Sequence, residues 1–293
     1  IFAMLNINHS IISRQVRRLL HRSRQRGKQL MQSNKPAWSS DSIKDEVLRT
    51  KFITLPATIA DWVGDHAPLA DAEILDFGCG EGITALGLAL QYAPARVVGV
   101  DIMPDPERCL PVAKSGLGLS SLPDNLELHR VKPGFLHNED DRFDVIYSWS
   151  VFEHVDMRVI DDVIALLYNS LKPEGVVFIQ IAPLYYSSEG SHLYDFIREP
   201  WGHLLHQANI YSSKLMAAVD NEDLRKSLMS TYTTLNRITA PELERRFENR
   251  NFEIIRKYTT RDALDPPDSL TEIYNRDVLT TNQVVLLLRR KAA

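Results

Sequence analysis

The chain has 293 residues, 44% hydrophobic and 25% charged, which suits an ordinary globular protein of one large domain or one domain plus a cap. Its formal net charge of −4 argues against nucleic acid as the main partner. Its two cysteines, Cys79 and Cys109, argue against a disulfide framework or a four-thiolate zinc site, and no apolar run approaches the length of a membrane span. A reducing, cytoplasmic setting is the expectation.

Residues 1–35 form a basic N-terminal segment, with Arg14, Arg17, Arg18, Arg22, Arg24, Arg26 and Lys28 crowded together. Ile11, Ile12, Val16, Leu19 and Leu20 give it a partly amphipathic pattern. The simpler reading is a solvated helix or a flexible arm. The functional one is contact with a membrane surface or nucleic acid. Residues 36–293 make the main domain. Its first part carries Trp38, Phe52, Leu55, Ile59 and Trp62 at spacings that predict one or two helices.

Residues 74–101 carry most of the information. Ile74-Leu75-Asp76-Phe77 reads as a buried strand running into Gly78-Cys79-Gly80-Glu81-Gly82. Ile83, Leu86, Leu88 and Leu90 follow with a helix-like pattern. Val97-Val98-Gly99-Val100 is a second strand, ending on Asp101. Strand, glycine turn, helix, strand and acid make one βαβ unit with a ligand site at the carboxyl end of its sheet. Glycines let the backbone approach a ligand, and the helix that follows turns free N–H groups toward it. Asp101 can accept two hydrogen bonds from a ribose diol, since an ionised carboxylate only accepts. Dinucleotide folds want a third glycine where Ile83 stands. Asp76, two residues before the first glycine, would repel a pyrophosphate but suits a ligand with a cationic amino-acid end.

The stretch resembles motifs I and II of the class I S-adenosylmethionine (SAM)-dependent methyltransferases, with the D-x-G-x-G-x-G core as Asp76, Gly78, Gly80 and Gly82. The resemblance covers roughly residues 50–290. It implies an α/β, Rossmann-like sheet of seven mostly parallel strands in the order 3-2-1-4-5-7-6, flanked by helices. It also implies SAM as cofactor, held by Asp76, Gly78, Cys79, Gly80, Gly82, Asp101, Ile102, Ser148 and Trp149. In that plan the helices of residues 36–70 pack near the cofactor mouth, and Ile102 flanks the adenine.

Beyond Asp101, residues 104–124 read as a loose helix with loops, and Leu126–Val131 alternates like a third strand. Many relatives carry an acid for the adenine amino group after this strand. Here the text is Lys132-Pro133-Gly134-Phe135, so backbone groups or a later residue such as His137 must serve. Phe143–Ser148 is the fourth strand and matches an F-D-x-I pattern. Trp149-Ser150-Val151-Phe152-Glu153-His154-Val155 follows in place of D-P-P-Y or N-P-P-Y, which disfavours base amino groups and glutamine side chains as acceptors. F-E-H-V resembles the start of the next helix in small-molecule O- and N-methyltransferases, some of which use the Glu-His pair near the acceptor. His154 is the candidate general base, its ordinary pKa near 6.5 suiting proton removal at neutral pH. A structural histidine at a helix start is the competing reading.

An amphipathic helix around 161–171, the turn Lys172-Pro173-Glu174-Gly175 and a fifth strand, 176–182, come next. Residues 183–236 read as a cap insertion. Tyr185, His192, Tyr194 and His203 are its candidate substrate residues, against the alternative that its aromatics only pack. His192, His203 and His206 lack a recognised ligand spacing, so no metal is expected. Thr239 suits an N-cap with Pro241 just inside the helix. Residues 251–255 lead into strand six, and 282–288 close the sheet, antiparallel between the fifth and sixth. The function implied is methyl transfer to an oxygen, nitrogen or carbon nucleophile of a small molecule. The alternatives are a protein or RNA methyltransferase, a non-catalytic SAM-binding protein and, more distantly, a nicotinamide-dependent oxidoreductase.

Overall fold

The computed structural model describes residues 42–136 and 138–292. The basic segment 1–35, Trp38 and His137 lie outside the described residues. The chain enters through helix α1 (Glu46–Arg49), a π-helical turn (Thr50–Thr54) and α2 (Leu55–Val63). Pro56 explains the wide turn. It has no N–H to give to the Phe52 carbonyl, its partner in a regular helix, and its ring would clash there. The Gln91 side chain takes that carbonyl instead, at 2.6 Å. Gly87 lets the next helix approach so closely, since a Cβ there would stand 2.3 Å from the Phe52 oxygen.

A βαβ unit follows: β1 (Glu73–Phe77), α3 (Ile83–Gln91) and β2 (Arg96–Asp101). After a 3-10 turn (Asp105–Arg108) come α4 (Cys109–Leu117), β3 (Leu126–Arg130) and β4 (Phe143–Trp149). A three-residue 3-10 turn (Phe152–His154) precedes α5 (Ile160–Ser170) and β5 (Leu171–Ile181). The cap region holds α6 (Gly202–Leu205), α7 (Ala208–Ala218) and α8 (Glu222–Thr234). The last elements are α9 (Ala240–Asn249), β6 (Phe252–Arg261), α10 (Asp268–Thr271), α11 (Arg276–Thr280) and β7 (Thr281–Arg290).

The seven strands lie in one sheet in the order 3-2-1-4-5-7-6, as expected, with β7 antiparallel to both neighbours. Each face is covered, which is why the central strands are apolar along their whole length. One face packs on α2, α3 and α4 through residues such as Phe52, Trp62, Leu86, Tyr147, Phe178 and Leu287. The other packs on α5 and α9 through Ile146, Phe152, Leu167, Phe247 and Leu286. The cap has a small core of its own, with Leu193, Ile197, Tyr211, Leu215 and Leu228. Thr239 caps α9, its hydroxyl accepting from the Glu242 N–H at 3.4 Å.

Two local expectations change. F-E-H-V does not start a helix: the Asn236 amide donates to the carbonyls of Phe152 (2.6 Å) and Val155 (2.8 Å), Val155 turns extended, and the helix waits until Ile160. Lys172–Gly175 is a bulge within β5 rather than a turn before it. The pairing jumps from Phe143↔Leu171 to Val145↔Val176.

Candidate active site

Three consecutive sequence features meet at the carboxyl edge of the sheet. The first is the glycine turn after β1. The Gly78 and Cys79 N–H groups donate to the Val100 carbonyl at 2.9 and 3.0 Å, fastening the turn to β2. Gly78, Gly80 and Gly82 all have positive φ. A Cβ on Gly78 would lie 2.3 Å from Val151 Cγ2, so the segment after β4 rests directly on the turn. Nothing lies within 4 Å of where a Gly80 Cβ would be. Bare backbone therefore faces open space at one place in the turn, beside the start of α3, and free helix N–H groups make such a place fit for a ligand.

The second feature is a pair of carboxylates. Asp101 accepts from the Gly80 and Met103 N–H groups, each at 2.8 Å. A carboxylate has roughly four lone-pair sites, so two remain for a diol. Asp76 is buried at 3% exposure. Burial raises its pKa to about 7. The neighbouring Tyr147 hydroxyl pulls it down and Asp101 pushes it further up. Tyr147 lacks a well-aligned hydrogen-bond partner of its own. Glu81 is held between Arg108 (2.9 Å) and Lys51 (3.5 Å), which ties the turn to the π-helical segment and to the residues after β2. Burial, with Asp76 beside it, keeps the Cys79 thiol well above its ordinary pKa and so protonated. Ile102, Met103 and Phe135 are each about half exposed, at 51%, 50% and 52%, large apolar side chains left on the surface just past β2 and β3.

The third feature is the end of β4 with the cap loop. Ser148 and Trp149 part company here, because successive strand residues face opposite sides. The Ser148 hydroxyl is buried and donates to the Phe77 carbonyl at 3.0 Å, a bond between strands. Trp149 stacks on Phe178 at 5.9 Å, on the face that carries Tyr147, and its Nε1 has no partner. Ser150 sits at positive φ, its hydroxyl donating to Gln180 Oε1 at 3.0 Å.

His154 and His192 meet edge to face at 5.4 Å, so two of the sequence candidates come together. The network fixes their tautomers. The single proton of Thr234 Oγ1 goes to the Thr231 carbonyl at 2.9 Å, so this oxygen must accept from His154 Nδ1, also at 2.9 Å. His154 therefore presents an unprotonated Nε2. His192 and His203 donate from Nε2 to the carbonyls of Pro183 (3.0 Å) and Tyr185 (2.5 Å), and the Nδ1 of His203 is buried without a partner. Burial lowers all three pKa values, to about 4, 3 and 4 respectively, so the rings are neutral at pH 7. Tyr185 packs edge-on against His203 at 5.0 Å, with the Arg237 guanidinium 5.4 Å above its ring. Tyr194 is half-buried on the same loop. His206 turns instead to Glu199 (2.7 Å) and Lys214 (2.8 Å). Among the described residues no group of three His, Cys, Asp or Glu side chains is placed to hold a metal.

The sequence pattern points to His154 as the base and to Glu153 only as its neighbour in the Glu-His pair. Glu153 is 2% exposed, and neither carboxyl oxygen has a partner of good geometry. Burial raises its pKa to about 8, although nearby N–H groups of its own residue and Ala182, and the Ser150 hydroxyl, pull the other way. The signal was present in the sequence: an acid flanked by Val151, Phe152 and Val155 is placed for burial.

Open glycine backbone, an acid near the end of each strand and exposed apolar side chains are gathered at this edge, with Asp76 buried among them. One consequence is measurable. A cationic amino group set beside Asp76 would favour its ionised form, so binding such a ligand would release a proton below about pH 7. SAM affinity should be about tenfold weaker at pH 6 than at pH 8 and level off above that. Calorimetry across this range checks it, and Asp76→Asn should flatten the profile.

No helix among the described residues is long and apolar enough to cross a membrane. The profile of a family described as "Methyltransferase domain" matches residues 12–257. A ubiquinone biosynthesis O-methyltransferase of Neisseria meningitidis is 33% identical over 119 residues, 40% of this chain and 47% of that protein. A cyclopropane-fatty-acyl-phospholipid synthase of Escherichia coli is 31% identical over 128 residues, 44% of this chain and 29% of that protein. An uncharacterised protein of Rickettsia prowazekii is 27% identical over 167 residues, 55% of this chain and 63% of that protein. The chain spans about half the length, or less, of most of these relatives. The crystal structure of a SAM-dependent methyltransferase from Clostridium acetobutylicum superposes with a TM-score of 0.50 at 13% identity, covering 83% of this chain and 92% of that one, a likeness of fold.

Proposed function

The chain belongs to the methyltransferase domain family, in its class I SAM-dependent form, and from that premise we propose that it methylates an oxygen, nitrogen or carbon nucleophile of a small molecule. The observation that carries this reading is the open backbone at Gly80, set between buried Asp76 and the strand-end acid Asp101. In this reading Asp76 holds the amino-acid end of SAM. Gly78, Cys79, Gly80 and Gly82 let the backbone pass close to it, Asp101 takes the ribose hydroxyls and Ile102 covers adenine. Trp149 borders the methionine end, while Ser148 supports it from behind through the bond to Phe77. Bound there, SAM supplies an electrophilic methyl on a sulfonium.

The protein's remaining tasks are to align the nucleophile and to accept the proton it gives up. The open Nε2 of His154 receives the acceptor's hydrogen bond. Its low basicity makes it an aligning acceptor more than a strong base. Glu153, one residue away, is the second proton-handling group. The cap loop with Tyr185, His192, Tyr194 and His203 closes over the acceptor, and 183–236 acts as the acceptor-binding insertion. Likeness to the Neisseria ubiquinone biosynthesis O-methyltransferase and the Escherichia cyclopropane-fatty-acyl-phospholipid synthase supports a small-molecule or lipid acceptor over a protein or RNA.

Calorimetric titration with SAM, S-adenosylhomocysteine (SAH) and NAD tests the core of this. Micromolar binding of the first two and none of NAD is the expected result; binding of NAD alone overturns it. With the acceptor returned by a small-molecule screen, His154→Ala should lower turnover about 10- to 100-fold while leaving SAH affinity unchanged. Because His154 is neutral throughout, the rate should show no step near pH 6.5. A step near pH 8, absent in Glu153→Gln, would report the buried acid.

A further inference from the structure

The rim of the sheet carries buried polar groups that folding leaves unused. Gln283 on β7 is 1% exposed, and neither its amide nitrogen nor its amide oxygen has a partner. Thr260 on β6 is 8% exposed, and its hydroxyl also has none. The two are cross-strand partners, so their side chains stand side by side on one face. That face is the one holding the catalytic edge. Trp149 pairs with Gln180, Gln180 pairs with Val285, and Gln283 lies two residues further out on the face of Val285. Trp149, whose Nε1 is also without a partner, borders the SAM site. Two strand spacings across and two residues along, about 12 Å, separate it from Gln283.

Leaving a buried amide and a hydroxyl unpaired costs about 1–3 kcal/mol each, so such groups are retained where something other than the fold uses them. Resting on the methyltransferase reading, we infer that Gln283 and Thr260 form a distal subsite for the methyl acceptor, which carries there an uncharged group that both donates and accepts hydrogen bonds, such as a carboxamide or a hydroxyl. A primary amide presents N–H and C=O together, and Thr260 adds a hydroxyl able to do either. Just past the end of β6, Asp262 is engaged, its carboxylate accepting from the Ser188 N–H at 2.8 Å. The amide and the hydroxyl carry no formal charge to neutralise an ionic ligand, and an unpaired ion would be desolvated at high cost. The acceptor thus lies across the ends of β4, β5 and β7, with its reacting atom at the β4 end.

The probe is benzamide, with benzoate and benzylamine as charged controls of like shape, observed by saturation-transfer NMR on the SAH-loaded protein. We expect a benzamide signal at least about threefold above either control, because the ions are penalised on burial. Gln283→Leu should reduce it to the level of the controls, and Thr260→Val should weaken it. In the unliganded protein both variants should melt at or above the wild-type temperature, since each removes an unpaired buried group. Benzamide binding no better than benzoate, or unchanged in Gln283→Leu, would overturn the subsite. So would a fall in melting temperature in both variants, which would mark the pair as structural. SAH titration of the same sample separates the two levels: lost SAH binding in wild type strikes the methyltransferase reading, while intact SAH binding without benzamide strikes only the subsite.

Discussion

Asp101→Ala should weaken SAM and SAH binding at least about a hundredfold, because two charge-assisted hydrogen bonds to a diol are each worth about 1.5–3 kcal/mol. The structure adds a second loss. The same carboxylate holds the N–H groups of Gly80 and Met103, so its removal frees the glycine turn and the segment after β2 at once. Asp101→Asn keeps one acceptor oxygen and should fall between the two proteins. Calorimetry with SAH measures the effect, and circular dichroism with the melting curve establishes that the variant is folded. Affinity within about threefold of wild type in a folded Asp101→Ala protein would remove this residue from ribose binding.

Gly78 and Gly80 share a positive φ but should fail in different ways when replaced by alanine. At Gly78 the new methyl would stand 2.3 Å from Val151 Cγ2 and 2.8 Å from its Cγ1. Overpacking of this kind costs about 1–3 kcal/mol, and the left-handed backbone adds about 1 kcal/mol for a residue with a Cβ. Gly78→Ala should therefore lower stability measurably in urea. Val151→Ala in the same chain should restore the steric part and leave the backbone part. Gly80→Ala meets nothing within 4 Å, so it should lose only about 1 kcal/mol of stability and stay folded. Its methyl would project into the open cradle, and SAH binding should drop at least about tenfold. Wild-type affinity in Gly80→Ala would mean that the ligand does not lie against this turn. No rescue of Gly78→Ala by Val151→Ala would mean that the contact between the turn and the segment after β4 is not what demands a glycine there.

The two variants bear on how the site is assembled. Val151 is carried by the end of β4 and Gly78 by the end of β1, neighbouring parallel strands paired through Ile74↔Val145 to Asp76↔Tyr147. Strand register therefore sets where Glu153 and His154 stand relative to the glycine turn. The Asn236 amide, reaching back from the end of the cap to two carbonyls of that segment, fixes it from the other side. The cap and the sheet meet at that amide, which makes the placement of His154 depend on both.

The sequence alone determined the features whose physics is local. Positive-φ turns favour glycine, buried strands favour unbroken apolar runs, and a side-chain acceptor favours a helix start. Asp76–Gly82, the strands around it, Asp101 and the Thr239 cap were therefore legible from spacing, and the resemblance supplied the strand order that the sheet shows. Other properties belong to contacts between residues far apart in the chain. Burial makes three histidines neutral, against the pull of the Pro183 and Tyr185 carbonyls, and the bonds to Thr234, Pro183 and Tyr185 assign their open nitrogens. Alternation along β4 turns Ser148 away from Trp149, and the Asn236 amide cuts short the helix expected at Phe152. Pairing of β6 with β7 sets Thr260 beside Gln283, 23 positions on, and leaves both without partners. Hydrogen-bond satisfaction and desolvation are sums over every neighbour in space, so only the tertiary structure decided them.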